Sequence, residues 1–282
     1  MQTVNRIDPL RKAVAALRRD GRLALVPTMG ALHEGHLALV HEARKHAERV
    51  AVSIYVNPRQ FSANEDLSAY PRQLARDSAM LEAAGVDLLW APDGEAMYPP
   101  GYATNISVSG VSDGLCGGSR PGHFDGVATV VCKLFNQVRP DVALFGEKDW
   151  QQLAVIRRMA RDLDLARPGV DAIIGVPTVR EADGLAMSSR NAYLTPDERT
   201  AAAALPAAMH TAIGQIGAGE SIALALAALE TNLLAAGFQS VDYAELCDAE
   251  TLAPLAKRGH APARLLVAAR IGKARLIDNM PA

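Results

Sequence analysis

Apolar residues in this chain follow two rhythms. Compact runs at 22–27, 50–56, 86–91, 142–145 and 170–176 are rich in Val, Ile, Leu and Ala, as strands buried on both faces are. Between them, 36–48, 70–84, 125–138 and 149–163 return an apolar residue every three or four positions, the period of helices with one buried face. Strands and helices in alternation predict βαβ units and a parallel sheet covered by helices, an α/β fold. One segment breaks the series. TNISVSGVSDGLCGG, at 104–118, alternates apolar and polar residues, and that period of two predicts a small antiparallel excursion.

Beyond about residue 178 the character changes to an Ala- and Leu-rich helical region followed by compact strands. Thr195 starts a helix, with Pro196 in its first turn and Glu198 at the capping-box position. AAAALPAAMHTA is helical in composition, and Pro206 should bend or interrupt it because proline lacks the N–H and its ring meets the preceding turn. A further helix is expected at 221–236 and strands at 240–246, 263–271 and 274–278. The expected organisation is an α/β unit over 1–178 and a smaller α+β unit over 179–282, joined through Val176-Pro177-Thr178.

With 282 residues, 49% of them hydrophobic and 21% charged, the chain can bury one large core or two smaller ones. Its formal net charge of −2 and dispersed Lys and Arg residues offer no footprint for nucleic acid. MQTVNRIDPLRKAVAALRRDGR holds no unbroken apolar segment of signal or membrane-spanning length, so a cytoplasmic protein with no membrane partner is expected. Cys116, Cys132 and Cys247 are odd in number and lack CxxC spacing. They suggest buried small hydrophobes rather than a disulfide framework or a zinc site.

Candidate chemistry gathers where strands end. LVPTMGALHEGHL closes the 22–27 run in a glycine-broken turn and sets His33 and His36 one turn apart at a helix start. Unpaired N–H groups and partial positive charge at such a start suit a nucleotide phosphate, and imidazoles at i and i+3 share a face. A buried turn with two satisfied histidines is the plainer alternative. VNPRQF follows the second strand, at the edge where open α/β sheets bind ligands. Asn57 and Gln60 there can bond a small polar substrate or simply form a turn. GEKDWQQL places Lys148 beside another helix start, where an ammonium offsets phosphate charge or pairs with Glu147 or Asp149 at the surface. Ser188, Ser189 and Arg190 in ADGLAMSSRN can grip phosphate oxygens, or belong to a polar interdomain linker.

Taken together and in order, PTMGALHEGH, VNPRQF, RPGHFDGV, GEKDWQQL and VPTVREADGLAMSSRNAYL resemble the pantothenate synthetase family over most of the first 195 residues. HxGH itself resembles the signature of the wider adenylyl-transferring superfamily. The C-terminal third resembles the family only in overall pattern. The resemblance implies a Rossmann-type nucleotide-binding unit with a smaller C-terminal lid, a homodimer, and an ATP- and Mg²⁺-dependent ligase. Pantoate and β-alanine would be joined through a pantoyl-adenylate, with pyrophosphate and then AMP released.

Matched position by position, the nucleotide segment of that family falls on Met29, Gly30, Ala31, Leu32, His33, Glu34, Gly35 and His36. His36 would be the acid that assists pyrophosphate departure, with His33 beside it. Gly146, Glu147, Lys148, Asp149, Val179, Met187, Ser188, Ser189 and Arg190 complete the implied ATP contacts. The implied catalytic set is His36, His33, Lys148 and Arg190. Gln60 and Gln152 match the pantoate-binding glutamines, Gln60 also where β-alanine enters, and Asn57 shapes that pocket. No metal ligand is assigned, since magnesium commonly binds phosphate oxygens. His123 is equally a contact residue or a loop-ordering one. Trp150 after GEKD and Ser62-Ala63-Asn64-Glu65-Asp66 after VNPRQF are local departures that remove no motif residue.

The chemistry is coherent without the resemblance. A carboxylate acylates poorly because its oxygen leaves badly, and adenylation supplies a better leaving group. Lys148, Arg190, the helix start and magnesium would offset the charge while the neutral glutamines orient the acid. Two alternatives stand beside this reading. Another adenylyltransferase would use a phosphate acceptor, which favours more cationic contacts than paired glutamines. A non-catalytic nucleotide-binding or RNA-associated regulator would bind without turnover.

Overall fold

The computed structural model describes residues 1–61, 67–68 and 70–282; the Ser62-to-Asp66 stretch after VNPRQF lies outside them. In chain order the first unit holds β1 (Gln2–Val4), α1 (Ile7–Leu17), β2 (Leu23–Thr28), α2 (Glu34–His46), β3 (Arg49–Ile54), α3 (Leu74–Ala83) and β4 (Leu88–Trp90). It continues with α4 (Gly94–Met97), α5 (Leu115–Ser119), α6 (His123–Val138), β5 (Val142–Gly146), α7 (Trp150–Asp162) and β6 (Ile173–Val176). After it come α8 (Pro196–Ala202), α9 (Ala204–Gly217), α10 (Ile222–Ala235), β7 (Ser240–Asp248), β8 (Ala263–Ile271) and β9 (Ala274–Pro281).

The compact apolar runs form one six-stranded sheet in the order β1-β4-β3-β2-β5-β6, parallel throughout. Leu23, Ala24, Leu25 and Val26 of β2 are fully buried, because helices cover both faces. One core joins α1, α6 and α7 around Phe135, Trp90 and Ile156, and a second joins α2 and α3 around Val40 and Leu81. From β2 the chain winds toward β3 and β4 on one side and returns to β5 and β6 on the other. The order therefore reverses between β2 and β5, and their C-terminal ends open a crevice there, the usual ligand position in such sheets. The antiparallel β7-β8-β9 sheet packs on α9 and α10 over its own core. Among the described residues, no helix is long and apolar enough to cross a membrane, and all three cysteines are buried and unbridged.

Several local expectations change. The 104–118 segment forms no strand; it is irregular to Ser109 and turns at 110–114 before α5 begins at Leu115. Its alternation has another cause, since Ile106, Val108 and Val111 pack against the core that contains α6 while Ile106 N–H donates to Thr129 Oγ1 at 2.9 Å. The 170–176 run begins as a 3₁₀ turn, Val170–Ala172, before β6. Strand β1 and helix α1 were not anticipated, the former being three residues long and too short to show a period. Thr195 and Glu198 form the expected capping box at α8. The break between α8 and α9 falls at Ala203, three residues before Pro206, whose missing N–H prevents one continuous ladder.

The VNPRQF turn touches α6 at a glycine. A Cβ on Gly126 would lie 2.3 Å from the Arg59 carbonyl oxygen and 2.7 Å from the Gln60 nitrogen, so only a bare backbone fits. Gly126→Ala is expected to lower unfolding free energy by about 1–3 kcal/mol through overpacking. Urea denaturation checks this, and a loss below about 0.5 kcal/mol, the range of unconstrained surface changes, would show that the turn can yield.

Candidate active site

The floor of the crevice is the turn after β2. Thr28 donates its hydroxyl to the Ser53 carbonyl at 2.8 Å and accepts Gly30 N–H at 3.2 Å. Gly30 and Ala31 follow with φ of +85° and +51°, an unusual left-handed pair in which Ala31 has a steric cost that glycine lacks. A carboxylate stabilises it. Asp77 of α3, 1% exposed, accepts Ala31 N–H and Leu32 N–H, each at 2.9 Å. The chain then enters α2 with His33 as its N-cap.

Both histidines cap the helix they begin. His33 Nδ1 accepts Gly35 N–H at 3.2 Å, and His36 Nδ1 accepts His33 N–H at 3.3 Å. This pattern assigns the ring proton to Nε2 in each imidazole, leaving that N–H as the side-chain donor. The ring centroids are 4.1 Å apart. Burial lowers the His33 pKa, with Lys148 adding to the effect. Burial, followed by His33, pushes His36 down to about 3. In the free protein burial therefore holds His36 in its neutral form near neutral pH, with Nε2–H as its side-chain donor. The helix-start donors expected to be open to phosphate are also partly occupied, Gly35 N–H by His33 and the preceding Ala31 and Leu32 N–H groups by Asp77.

A second wall comes from the turn after β3. Asn57 is 1% exposed and bonds Gln60 Oε1 at 3.2 Å, the Gly126 carbonyl at 3.0 Å and Tyr98 OH at 3.0 Å. It shapes the wall without lining the crevice. Gln60 lines it, with Nε2 directed to Met29 Sδ at 3.0 Å. Its carbonyl lies 2.8 Å from His123 Nδ1, and His123 Nε2 lies 3.0 Å from Arg120. Because a guanidinium only donates, His123 accepts at Nε2 and donates from Nδ1. His123 thus orders the Gln60 turn while lining the same crevice as Arg120.

The remaining walls follow β5 and β6. Gly146, Lys148, Asp149 and Gln152 line the crevice where α7 begins. Gln151 points elsewhere, donating to the Val111 and Asp113 carbonyls, each at 3.1 Å. Glu147 is turned out of the crevice, 3.5 Å from Arg264, so it does not neutralise Lys148. Trp150 faces the C-terminal sheet and donates Nε1–H to the Ala249 carbonyl at 2.9 Å. After β6, Met187 N–H returns to the Val179 carbonyl at 2.9 Å, which brings Val179, Met187, Ser188, Ser189 and Arg190 to the rim.

The enclosed volume is about 230 Å³. Met29, His33, Gly35 and His36 complete its lining from the first motif, whereas Gly30, Ala31, Leu32 and Glu34 stand behind it. Sequence reasoning missed Asp77, Tyr70 and Arg120. Tyr70 and Arg120 line the crevice, and the Tyr70 hydroxyl pKa is raised by burial against an opposing hydrogen bond from Ser189. Among the described residues, no cluster of three or more His, Cys, Asp or Glu could hold a metal, and Asp149 is the carboxylate on the wall. One carboxylate suits a magnesium ion that keeps waters and binds mainly phosphate oxygens. The arrangement brings two neutral amides, Gln60 on the turn after β3 and Gln152 on α7, into the same crevice as imidazoles, an ammonium and guanidinium groups.

Comparison with known proteins agrees with that chemistry. Residues 2–281 match the family model described as pantoate-β-alanine ligase. The chain is 68% identical to the pantothenate synthetase of Novosphingobium aromaticivorans over 99% of this chain and 98% of that one. It is 59% identical to that of Sphingopyxis alaskensis over 100% and 99%. A crystal structure of pantothenate synthetase from Thermus thermophilus superposes with a TM-score of 0.91 at 50% identity, covering 99% of both chains. One of a Francisella tularensis pantoate-β-alanine ligase, complexed with β-γ ATP and β-alanine, gives 0.82 at 33% identity, covering 99% and 97%.

The depressed His36 pKa carries a sign that can be measured. An unfolded histidine takes up its proton near pH 6.5, whereas folded His36 resists until about pH 3. Between those values the unfolded state binds more protons, so this group makes stability rise with pH across that window and has no effect above it. His36→Gln should flatten the rise in unfolding free energy between pH 3 and 6.5. Denaturant titrations at several pH values test it, and an unchanged slope would contradict the neutral, buried imidazole.

Proposed function

The chain belongs to the pantoate–β-alanine ligase family, and from that membership we propose that it joins pantoate to β-alanine at the expense of ATP, through a pantoyl-adenylate. The carrying observation is the set of groups that converge on one crevice at the β2–β5 reversal. Gln60 and Gln152 offer neutral amides there, together with Lys148, Arg190 and two imidazole N–H donors. Neutral donors orient an acid without trapping its carboxylate in an ion pair, and cations offset the charge that develops on the triphosphate.

In this reading, the pantoate carboxylate oxygen attacks the α-phosphorus of ATP and pyrophosphate leaves. His33 and His36 donate from Nε2 to phosphate oxygens as neutral groups, a role open to imidazoles with depressed pKa values. The free amine of β-alanine then attacks the acyl carbon beside Gln60, forming the amide as AMP leaves. Magnesium, bound with ATP and reachable from Asp149, would add charge stabilisation on the phosphates. The Gln60 and Asn57 contacts hold the acid pocket in shape. The same reading includes a homodimer, which rests on the family resemblance alone and is checked by light scattering in solution.

The first half-reaction needs no amine. Protein incubated with MgATP, pantoate and labelled pyrophosphate is expected to place label in ATP, and omission of pantoate should abolish the exchange. Adding β-alanine should divert the intermediate to pantothenate and AMP. Formation of ADP and phosphate would instead favour an acyl-phosphate, and exchange without any acid would also contradict the proposed route.

Gln60→Ala and Gln152→Ala each remove a neutral contact worth roughly 0.5–1.5 kcal/mol, with misorientation able to enlarge the kinetic loss. Pantoate KM should rise more than ATP KM in both variants. If pantoate kinetics are unchanged in both, the acid pocket lies elsewhere.

A further inference from the structure

Two cation-bearing loops of the crevice, one from each unit, share one anchor in the C-terminal sheet. Strand β9 carries Asp278 and Asn279 in succession, so their side chains leave the strand in opposite directions. Asn279, 3% exposed, donates from Nδ2 to the Glu147 carbonyl at 2.9 Å and to the Lys148 carbonyl at 2.8 Å. These carbonyls belong to the 3₁₀ turn Glu147–Asp149 that leads into α7, so the two bonds tie that turn to β9. Asn279 Oδ1 accepts from Arg264, whose guanidinium lies 3.5 Å over the Trp150 ring. That contact fixes which end of the amide faces the carbonyls.

Asp278 works in the other direction. It receives both arms of Arg180 at 2.7 and 2.9 Å, and Arg180 pairs with Ala186 across the turn that leads to Ser188 and Arg190. Asn279 N–H also donates to Asp278 Oδ1 at 2.7 Å, which ties the two grips together. Neither residue lines the crevice.

We propose that Asp278 and Asn279 are the positioning residues for the two phosphate-facing cations: Asn279 fixes the Lys148 main chain and Asp278, through Arg180, fixes the loop that bears Arg190. Strand β9 thereby sets the separation of the two charges across the crevice. This inference rests on the proposed roles of Lys148 and Arg190 toward ATP. It also assigns the C-terminal sheet a part in adenylation itself.

Asn279→Asp keeps the size and the Arg264 partner but loses both N–H donors. In pantoate-dependent exchange at saturating substrates, kcat should fall about 10- to 100-fold, the scale of a small misplacement of a reacting group. KM for pantoate should change less than kcat, because Gln60 stands on the turn after β3, which Asn279 does not touch. The deciding measurement is a double-mutant cycle: in a Lys148→Ala background, Asn279→Asp should change exchange less than about twofold, since no ammonium remains to be placed. An equal loss in both backgrounds would assign Asn279 to general stability and overturn the proposal. Asp278→Asn cycled against Arg190→Ala gives the second arm, and decides alone if Asn279→Asp does not fold. Wild-type protein without exchange would defeat the functional reading, whereas active wild type with an unaffected Asn279→Asp variant defeats this inference only.

Discussion

Asp77 carries the constraint on which the rest of the site depends. A left-handed Gly30-Ala31 pair exposes successive N–H groups in a buried turn, where an unmet donor costs about 1–3 kcal/mol. One carboxylate satisfies two of them. With the turn fixed, His33 arrives at the N-cap in extended conformation, and only then can the two imidazoles cap α2 and keep Nε2–H free for the crevice. The histidines cap the helix and line the crevice at once. Their neutrality follows from that double use, because Nδ1 must accept a backbone proton while burial and the neighbouring ring disfavour a second proton.

Charge is distributed by the topology. Parallel strands all end on one side, so the turns after β2, β3, β5 and β6 converge without any long-range search by individual side chains. Glu147 and Gln151 show how the convergence is filtered. Each lies beside a crevice residue in sequence, yet Glu147 turns to Arg264 and Gln151 ties down the 111–114 segment and Cys116. Glu147 is thereby taken out of the crevice, and of the two carboxylates beside Lys148 only Asp149 stays on its wall.

Strands β2 to β6 were legible because buried parallel strands are continuous apolar runs, and the motifs were legible because they sit where such runs end. The capping box at Thr195 and Glu198 was legible for a local reason as well. Residues whose role depends on distant partners were not. Asp77 meets Ala31 across 46 positions and Asn279 meets Lys148 across 131, and neither spacing leaves a periodic trace. The 104–118 segment misled for a related reason: a period of two reports one buried face, and packing on α6 supplies that face as well as a sheet would.

The seam between the units bears on how the crevice opens. A rigid swing of the C-terminal unit would break both Asn279 bonds, the Trp150–Ala249 bond and the Arg275–Ser119 bond, while the Arg180–Asp278 pair, both of whose residues lie beyond 178, would travel with it. The Asn279 losses fall on the main chain that carries Lys148, while the Ser188-to-Arg190 loop would leave with the moving unit. A unit that moved as a whole would therefore disperse the cations whenever it opened, and would have to reassemble them at each closure. If the seam stays closed, the charges remain preorganised against ATP, and admission of substrate falls to the rim side chains rather than to the domain. Preorganisation favours the second arrangement, since dipoles and charges already in place need no rearrangement as the phosphate charge develops.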